Sequence, residues 1–520
     1  MLSTETLLDN PLPDPSPGGD LFGHPKGLAF LFGTEMWERF SFYGMKALLI
    51  FYLVKYHLFN DEEGNFIVGS YAAMVYATPV IGGYLADKYL GFKKAVIWGG
   101  ILLVLGHLGM AFEGNAATES VTGVIERDET ALGVFFFSLS LIVLGVGFLK
   151  ANISSIVGTL YSKDDPRRDG GFTIFYMGIN LGSFFATIIC AWLGETYGWS
   201  YGFGAAGIGM ALGLIIFLSG RKYFPASAGP KDMAELKHKV AGLSREYWIY
   251  ILSLVALVPI WFVIQHHEIV QGLLIGAGAI SLAFIGYQLT KLDPVNRDRL
   301  IALTILIIFS VVFWALFEQA YTSLNLFAER SLEREFLGIT IPAGAFLSFN
   351  ALFIVLFAPV FAWLWVYLDK RGLQPNTAVK FGIAILLVGL GFGALSFGGS
   401  LAAGAKVGAG WLILTYLLHT WGELCLSPVG LSSVTKLSPG RIVGFMMGVW
   451  FLATAGAEFV SVILANLASI DTVGGEVTDV AAATANYLDL FHKLFLTGSI
   501  IGGVLLAVSP FIKKLMHGVK

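Results

Sequence analysis

The stretch EMWERFSFYGMK, residues 35–46, decides how this chain is read. It lies inside an apolar run long enough to cross a bilayer, yet it carries Glu35, Glu38, Arg39 and Lys46. A formal charge at hydrocarbon depth is costly unless it meets a partner or faces a water-filled cavity. At about 100° per residue, Glu35, Glu38, Arg39, Phe42 and Lys46 fall within an arc of about 100°, with Tyr43 at its edge. Such a face is either an internally neutral ladder, in which Glu35 and Arg39 pair across one turn, or the wall of an aqueous cavity. A purely structural helix could use leucine there, which favours the cavity.

Composition extends this reading to the whole chain. Of 520 residues, 56% are hydrophobic and 13% charged, about half the charged share of an ordinary soluble domain. Apolar runs of roughly 20 residues recur, where an outer-membrane barrel would show alternating segments of about ten. The expected fold class is an all-α integral membrane protein. MLSTETLLDNPLPDPSPGGD is acidic and Pro-rich, with no basic and apolar leader, so residues 1–25 read as a disordered cytoplasmic tail. Cys190 and Cys425 both fall in apolar runs and read as buried thiols.

Helices are expected near 26–56, 64–90, 94–112, 131–160, 170–195 and 201–220, then near 247–265 and 269–290. Six more follow near 299–321, 344–368, 377–400, 409–431, 441–468 and 485–513, making fourteen spans. The basic loops DKYLGFKK (87–94), SKDDPRRD (162–169), RKYFP (221–225) and DKRGLQ (369–374) alternate with acidic or neutral ones such as NDEEGN (60–65) and IDTVGGEVTD (470–479). That alternation places both termini in the cytoplasm. LADKYLG (85–91) and YLDKRG (367–372) follow equivalent spans of two six-helix sets. A parallel repeat of six is the major facilitator architecture. The expected organisation is an N-terminal bundle over 26–220, a linker with two extra helices over 221–298, a C-terminal bundle over 299–513 and a short tail over 514–520.

Other ionisable residues inside spans are candidates by the same rule. Lys150 lies deep in the fourth span, with snorkelling to the interface as the competing reading. Glu318 follows Trp314 by one turn, and its competing reading is a helix end facing water. His419, Glu423 and Ser427 recur at i,i+4 as one polar stripe, after which Pro428 is expected to break or bend the helix. Glu458 is a weaker candidate, balanced between a site and packing, and His107 reads as a structural histidine. Counting Glu35, Glu38, Glu318 and Glu423 against Arg39, Lys46 and Lys150 leaves one carboxylate in excess. A single proton would neutralise the set, provided Glu458 does not join it; a sodium site could use the same carboxylates.

EMWERFSFYG also resembles the E-x-x-E-R-F-x-Y-Y-G signature of proton-dependent oligopeptide transporters. FYMGINLGS (175–183) resembles that family's second signature, and GFLKANISSIVG (147–158) and GELCLSPVGLSSVTKL (422–437) resemble further blocks. The resemblance covers essentially the whole chain, including two extra helices typical of bacterial members. It implies a major facilitator fold and import of di- and tripeptides with protons. It implies that Glu35, Glu38 and Arg39 couple to protons with Lys150, and that Glu318 is a further coupling acid. Arg39, Lys46 and Lys150 would face the peptide carboxylate, and Asn350 and Glu423 the amino group. Tyr43, Tyr71, Tyr176, Asn180, Trp314, Ser427 and Trp450 would line the pocket, whereas without the resemblance the aromatic ones read as packing or interfacial anchors. Two residues depart from the signature. Phe42 stands where tyrosine is usual, and Lys46, where arginine is common, offers a point charge in place of a bidentate fork.

The expected function is proton-coupled uptake of short peptides by alternating access. Another small solute, such as a peptide-like drug or an amino-acid conjugate, is the alternative within the same architecture. An intramembrane hydrolase is the alternative of another class, but neither H-E-x-x-H nor G-x-S-x-G is present. No cofactor beyond the proton, no metal and no nucleic acid is expected. The chain is expected to work as a monomer in contact with lipid in a bacterial inner membrane.

Overall fold

A computed structural model describes residues 18–162, 165–336, 338–402, 405–470, 472–473 and 476–519. Most of the tail expected over 1–25 lies outside these residues. Its described end is ordered: Asp20–Leu21 pairs antiparallel with His24–Pro25, and Arg167 holds Asp20 at 2.8 Å.

The first six long helices are α1 (Lys26–Phe51), α2 (Asp61–Leu85), α3 (Phe92–Met110), α4 (Glu129–Thr159), α5 (Arg168–Tyr197) and α6 (Trp199–Gly220). A short α7 (Met233–Lys237) leads to α8 (Arg245–Val255), α9 (Leu257–Ile264) and α10 (His267–Leu289). Then come α11 (Pro294–Phe317), the short α12 (Ser323–Arg330), α13 (Ser348–Lys370), α14 (Thr377–Ala402), α15 (Ala409–Leu437), α16 (Val443–Ala465) and α17 (Val480–Leu515). The six strand pairs among the described residues are two residues long and lie in connections. Where loops are polar, side chains start the helices. Asn60 caps α2 by accepting from Glu63 N at 2.8 Å, with Asp61, Glu62 and Glu63 in the first turn, where the helix dipole favours acids. Asp293 caps α11 ahead of Pro294, whose missing N–H is no loss at that position.

Twelve helical segments are long and apolar enough to cross a membrane by length and composition. α1 and α15 are equally long but are not among them. They carry the charged signature and the His419–Glu423–Ser427 stripe. The expected count of fourteen requires both to cross as well; by composition the count stands at twelve.

Within the first set, α1 packs on α5 and α6, and α3 on α4; within the second, α14 packs on α15 and α17. The sets meet along two seams, α2 against α16 and α5 against α13. The added pair lies outside: α9 touches α4, while α10 touches both α2 and α16. Close approach explains a glycine of the second signature, since a Cβ on Gly182 of α5 would sit 2.1 Å from the Met36 carbonyl oxygen of α1. Pro428 does not end α15, which runs on to Leu437. It removes one backbone donor from an otherwise continuous helix.

Candidate functional site

The four charges of α1 divide into two groups. Arg39 donates from Nε to Glu38 Oε2 at 2.5 Å and from Nη2 to Glu38 Oε1 at 2.7 Å. Its Nε also lies 3.4 Å from Glu35 Oε1. All three are buried. Two turns on, Lys46 Nζ donates to Glu318 at 2.9 Å and to Glu458 at 3.1 Å. It also stands 4.1 Å from the centroid of the Tyr321 ring, a cation–π contact of about 0.5–2 kcal/mol.

These groups open onto a cavity of about 450 Å³ between the two six-helix sets. From the first set come Glu35, Arg39, Tyr43 and Lys46 of α1, Lys150 of α4, and Tyr176 and Asn180 of α5. The second set gives Trp314, Glu318, Asn350, Glu423, Ser427 and Trp450. Thirteen of the fifteen residues proposed from sequence therefore share one wall. Glu38 and Tyr71 do not. Glu38 stands behind Arg39 and holds it. Tyr71 is fully buried in the helix packing, and its hydroxyl has no partner among the described residues. On the same helix, Tyr76 lies about 140° round from Tyr71, and Tyr76 is the residue that reaches the cavity.

Two charges on this wall have no ionic partner. Among the described residues Lys150 makes no ion pair; its Nζ rests 4.1 Å from the Tyr76 ring centroid. Among the described residues Glu423 has no cation either, and it accepts from Asn350 Nδ2 at 3.1 Å. Snorkelling is thus not what Lys150 does, and Glu318, 8% exposed, faces Lys46 and not bulk water.

One end of the cavity is pinned. Arg330 of α12 grips Asp61 at the start of α2 with two bonds of 2.6 and 2.7 Å, and Ile470 N donates to the same carboxylate. Lys55 after α1 meets Glu329 at 2.5 Å. Glu195 at the end of α5 accepts from the backbone N–H groups of Ala343 and Gly344. Each contact ties the first set to the second at the end where α1 finishes and α2 begins.

Known proteins share this fold. A family model described as POT family matches residues 93–480. The match starts after the charged α1 and so is independent of the opening signature. The chain belongs to the POT family. The peptide transporter YePEPT of Yersinia enterocolitica is 38% identical over 529 residues, covering 96% of this chain and 97% of its own. The dipeptide and tripeptide permease A of Erwinia pyrifoliae is 32% identical over 496 residues, covering 95% of each. A crystal structure of the peptide transporter POT in complex with alafosfalin superposes with a TM-score of 0.81 at 36% identity, over 97% of this chain and 98% of that one. Members of the POT family are secondary transporters built on the major facilitator fold. This chain is accordingly a multi-pass membrane transporter and not an enzyme.

In this POT chain the charge count from sequence needs correction. Glu458 lines the cavity and binds Lys46, so five carboxylates face three cations and two are in excess. Periodicity could have found it, because Trp450, Thr454 and Glu458 recur at i,i+4 and all three line the wall. Tyr321 was missed because it lies in the tight turn after α11, where no helical period carries forward. His419 does not join its stripe in the cavity. It lies one turn nearer the pinned end, packs on Phe392 and bonds to the Val388 carbonyl at 3.2 Å. Phe42 is likewise buried beside Tyr43 and off the wall. His107 is buried in α3, with no partner for Nδ1 among the described residues.

Proposed function

We propose that this transporter imports di- and tripeptides together with protons by alternating access of its two six-helix sets. The carrying observation is the pair of unmatched charges, Lys150 on one set and Glu423 on the other, facing one cavity. A short peptide of arbitrary sequence offers only its charged ends and backbone as constant features. Its carboxylate would satisfy Lys150, with Arg39 beside it, and its amino group would satisfy Glu423 and Asn350. Tyr43, Tyr176, Trp314 and Trp450 give adaptable apolar contact for varied side chains. A bound zwitterion adds no net charge, so the two excess carboxylates are left for protons.

The pinned end supports an inward-facing state. With the basic loops in the cytoplasm of a bacterial inner membrane, both termini lie inside and the Asp61–Arg330 latch lies outside. The cavity lies within one chain, which supports a functional monomer. The test is uptake by the purified chain in proteoliposomes under an inward proton gradient. Di- and tripeptides are expected to accumulate above their external concentration, and to lose accumulation when the gradient is dissipated. Accumulation of neither class would end the peptide reading.

A further inference from the structure

Glu458 is the carboxylate weighed least from sequence, and it shares the cation of Glu318. It lies on α16, 4% exposed, 3.1 Å from Lys46 Nζ, while Glu318 takes the same nitrogen at 2.9 Å. With all three ionised this triad carries one net negative charge on the cavity wall. Lys46 belongs to the first six-helix set; both acids belong to the second. Among the described residues, the other charged or titratable groups set against Glu458 and its partners include Lys150 of α4, Tyr71 and Tyr76 of α2, and Tyr321, whose ring Lys46 faces. The phenols are uncharged at neutral pH, and Lys150 also faces Glu35 and the substrate. The second negative charge of the triad is therefore unanswered.

We propose that Glu458 is a second proton carrier, sharing one proton with Glu318 across Lys46, in addition to the proton served by Glu35, Glu38 and Arg39. This rests on the proton-coupled reading above. When the sets part at the latched end, Lys46 leaves with α1 and two carboxylates remain facing each other. Close carboxylates do not both stay ionised, so one takes a proton from the water of the open side. On closure the proton and Lys46 together make the triad neutral. When the cavity opens to the cytoplasm, water reaches Glu458 and the proton departs into it. Lys46 then holds both carboxylates, the arrangement seen here. Nothing is left over in this cycle: one proton enters from one side and leaves on the other, and the chain carries two per turnover.

The full chain in proteoliposomes, with membrane potential clamped at zero, tests this through limiting accumulation of a dipeptide. At zero net flux the accumulation ratio equals the proton ratio raised to the number of protons carried. For a tenfold proton ratio the native chain is expected to reach about 100-fold and Glu458→Gln about tenfold. Glu458→Asp is expected to keep the native exponent. An unchanged exponent in Glu458→Gln, or a native exponent of one, overturns the second site while leaving proton coupling intact. No gradient-driven accumulation by the native chain overturns the coupling reading itself. If Glu458→Gln loses all flux, Glu458→Asp decides: an exponent of two supports the carrier, and loss there too assigns Glu458 to packing and overturns it.

Discussion

Arg39 and Lys46 sit two turns apart on one helix, and each is held by two carboxylates, yet the two triads differ in kind. Both acids of Arg39 come from α1 itself: Glu38 is its neighbour and Glu35 lies one turn back. Both acids of Lys46 come from the other six-helix set, 272 and 412 residues away in sequence. On the proposed alternating-access cycle the first triad can travel intact, while the second must come apart. The first thus keeps its cation throughout, and the second gives up its cation and takes a proton in its place.

Removing the cation of the second triad is the most severe way to break that comparison. Lys46→Met leaves two buried carboxylates without a partner, and breaking a buried pair costs about 3–5 kcal/mol. Thermal unfolding in detergent is expected to show this loss, with much of it recovered by adding Glu318→Gln and Glu458→Gln. A Lys46→Met chain as stable as the native one would mean the triad is not formed.

The first triad is expected to tolerate less in coupling than in fold. Glu38→Gln gives up charge-assisted bonds worth about 1.5–3 kcal/mol and is expected to lower gradient-driven uptake about 100-fold, while peptide exchange without a gradient persists. Glu35→Gln should also lose driven uptake but disturb Arg39 less, because Glu35 stands 3.4 Å away and its Oε2 has no partner among the described residues. Equal driven uptake in the native chain and both variants would remove this triad from the proton path.

Away from both triads, Glu423→Gln tests the pocket. Peptides with a free amino group are expected to bind about tenfold more weakly, a loss of about 1.4 kcal/mol, and N-blocked analogues much less. Similar losses for both would assign Glu423 to gating. The smallest effect belongs to Phe42→Tyr, which restores the usual signature residue. Because Phe42 is packed off the cavity wall, its effect on peptide affinity is expected to stay within about 1 kcal/mol. A larger change would mean that position 42 reaches the substrate after all.

The sequence by itself determined the helices and the charged face of α1. Apolar runs fix where spans form, and a helical period fixes which side chains share a face, so Glu35, Arg39, Tyr43 and Lys46 could be placed together from local spacing alone. The same local rule placed Glu423 with Ser427, and applied to Trp450, Thr454 and Glu458 it would have found their stripe as well. Only the tertiary structure decided which stripes face each other. It turned Tyr76 and not Tyr71 to the cavity, packed His419 and Phe42 away from it, and brought Glu458 across more than 400 residues to Lys46. The reason is physical: a period of 3.6 residues sets the angle of a side chain about its own axis, while its partner depends on how that axis is rotated and paired in the bundle. That pairing is set by close contacts such as Gly182 against α1, which no single helix contains.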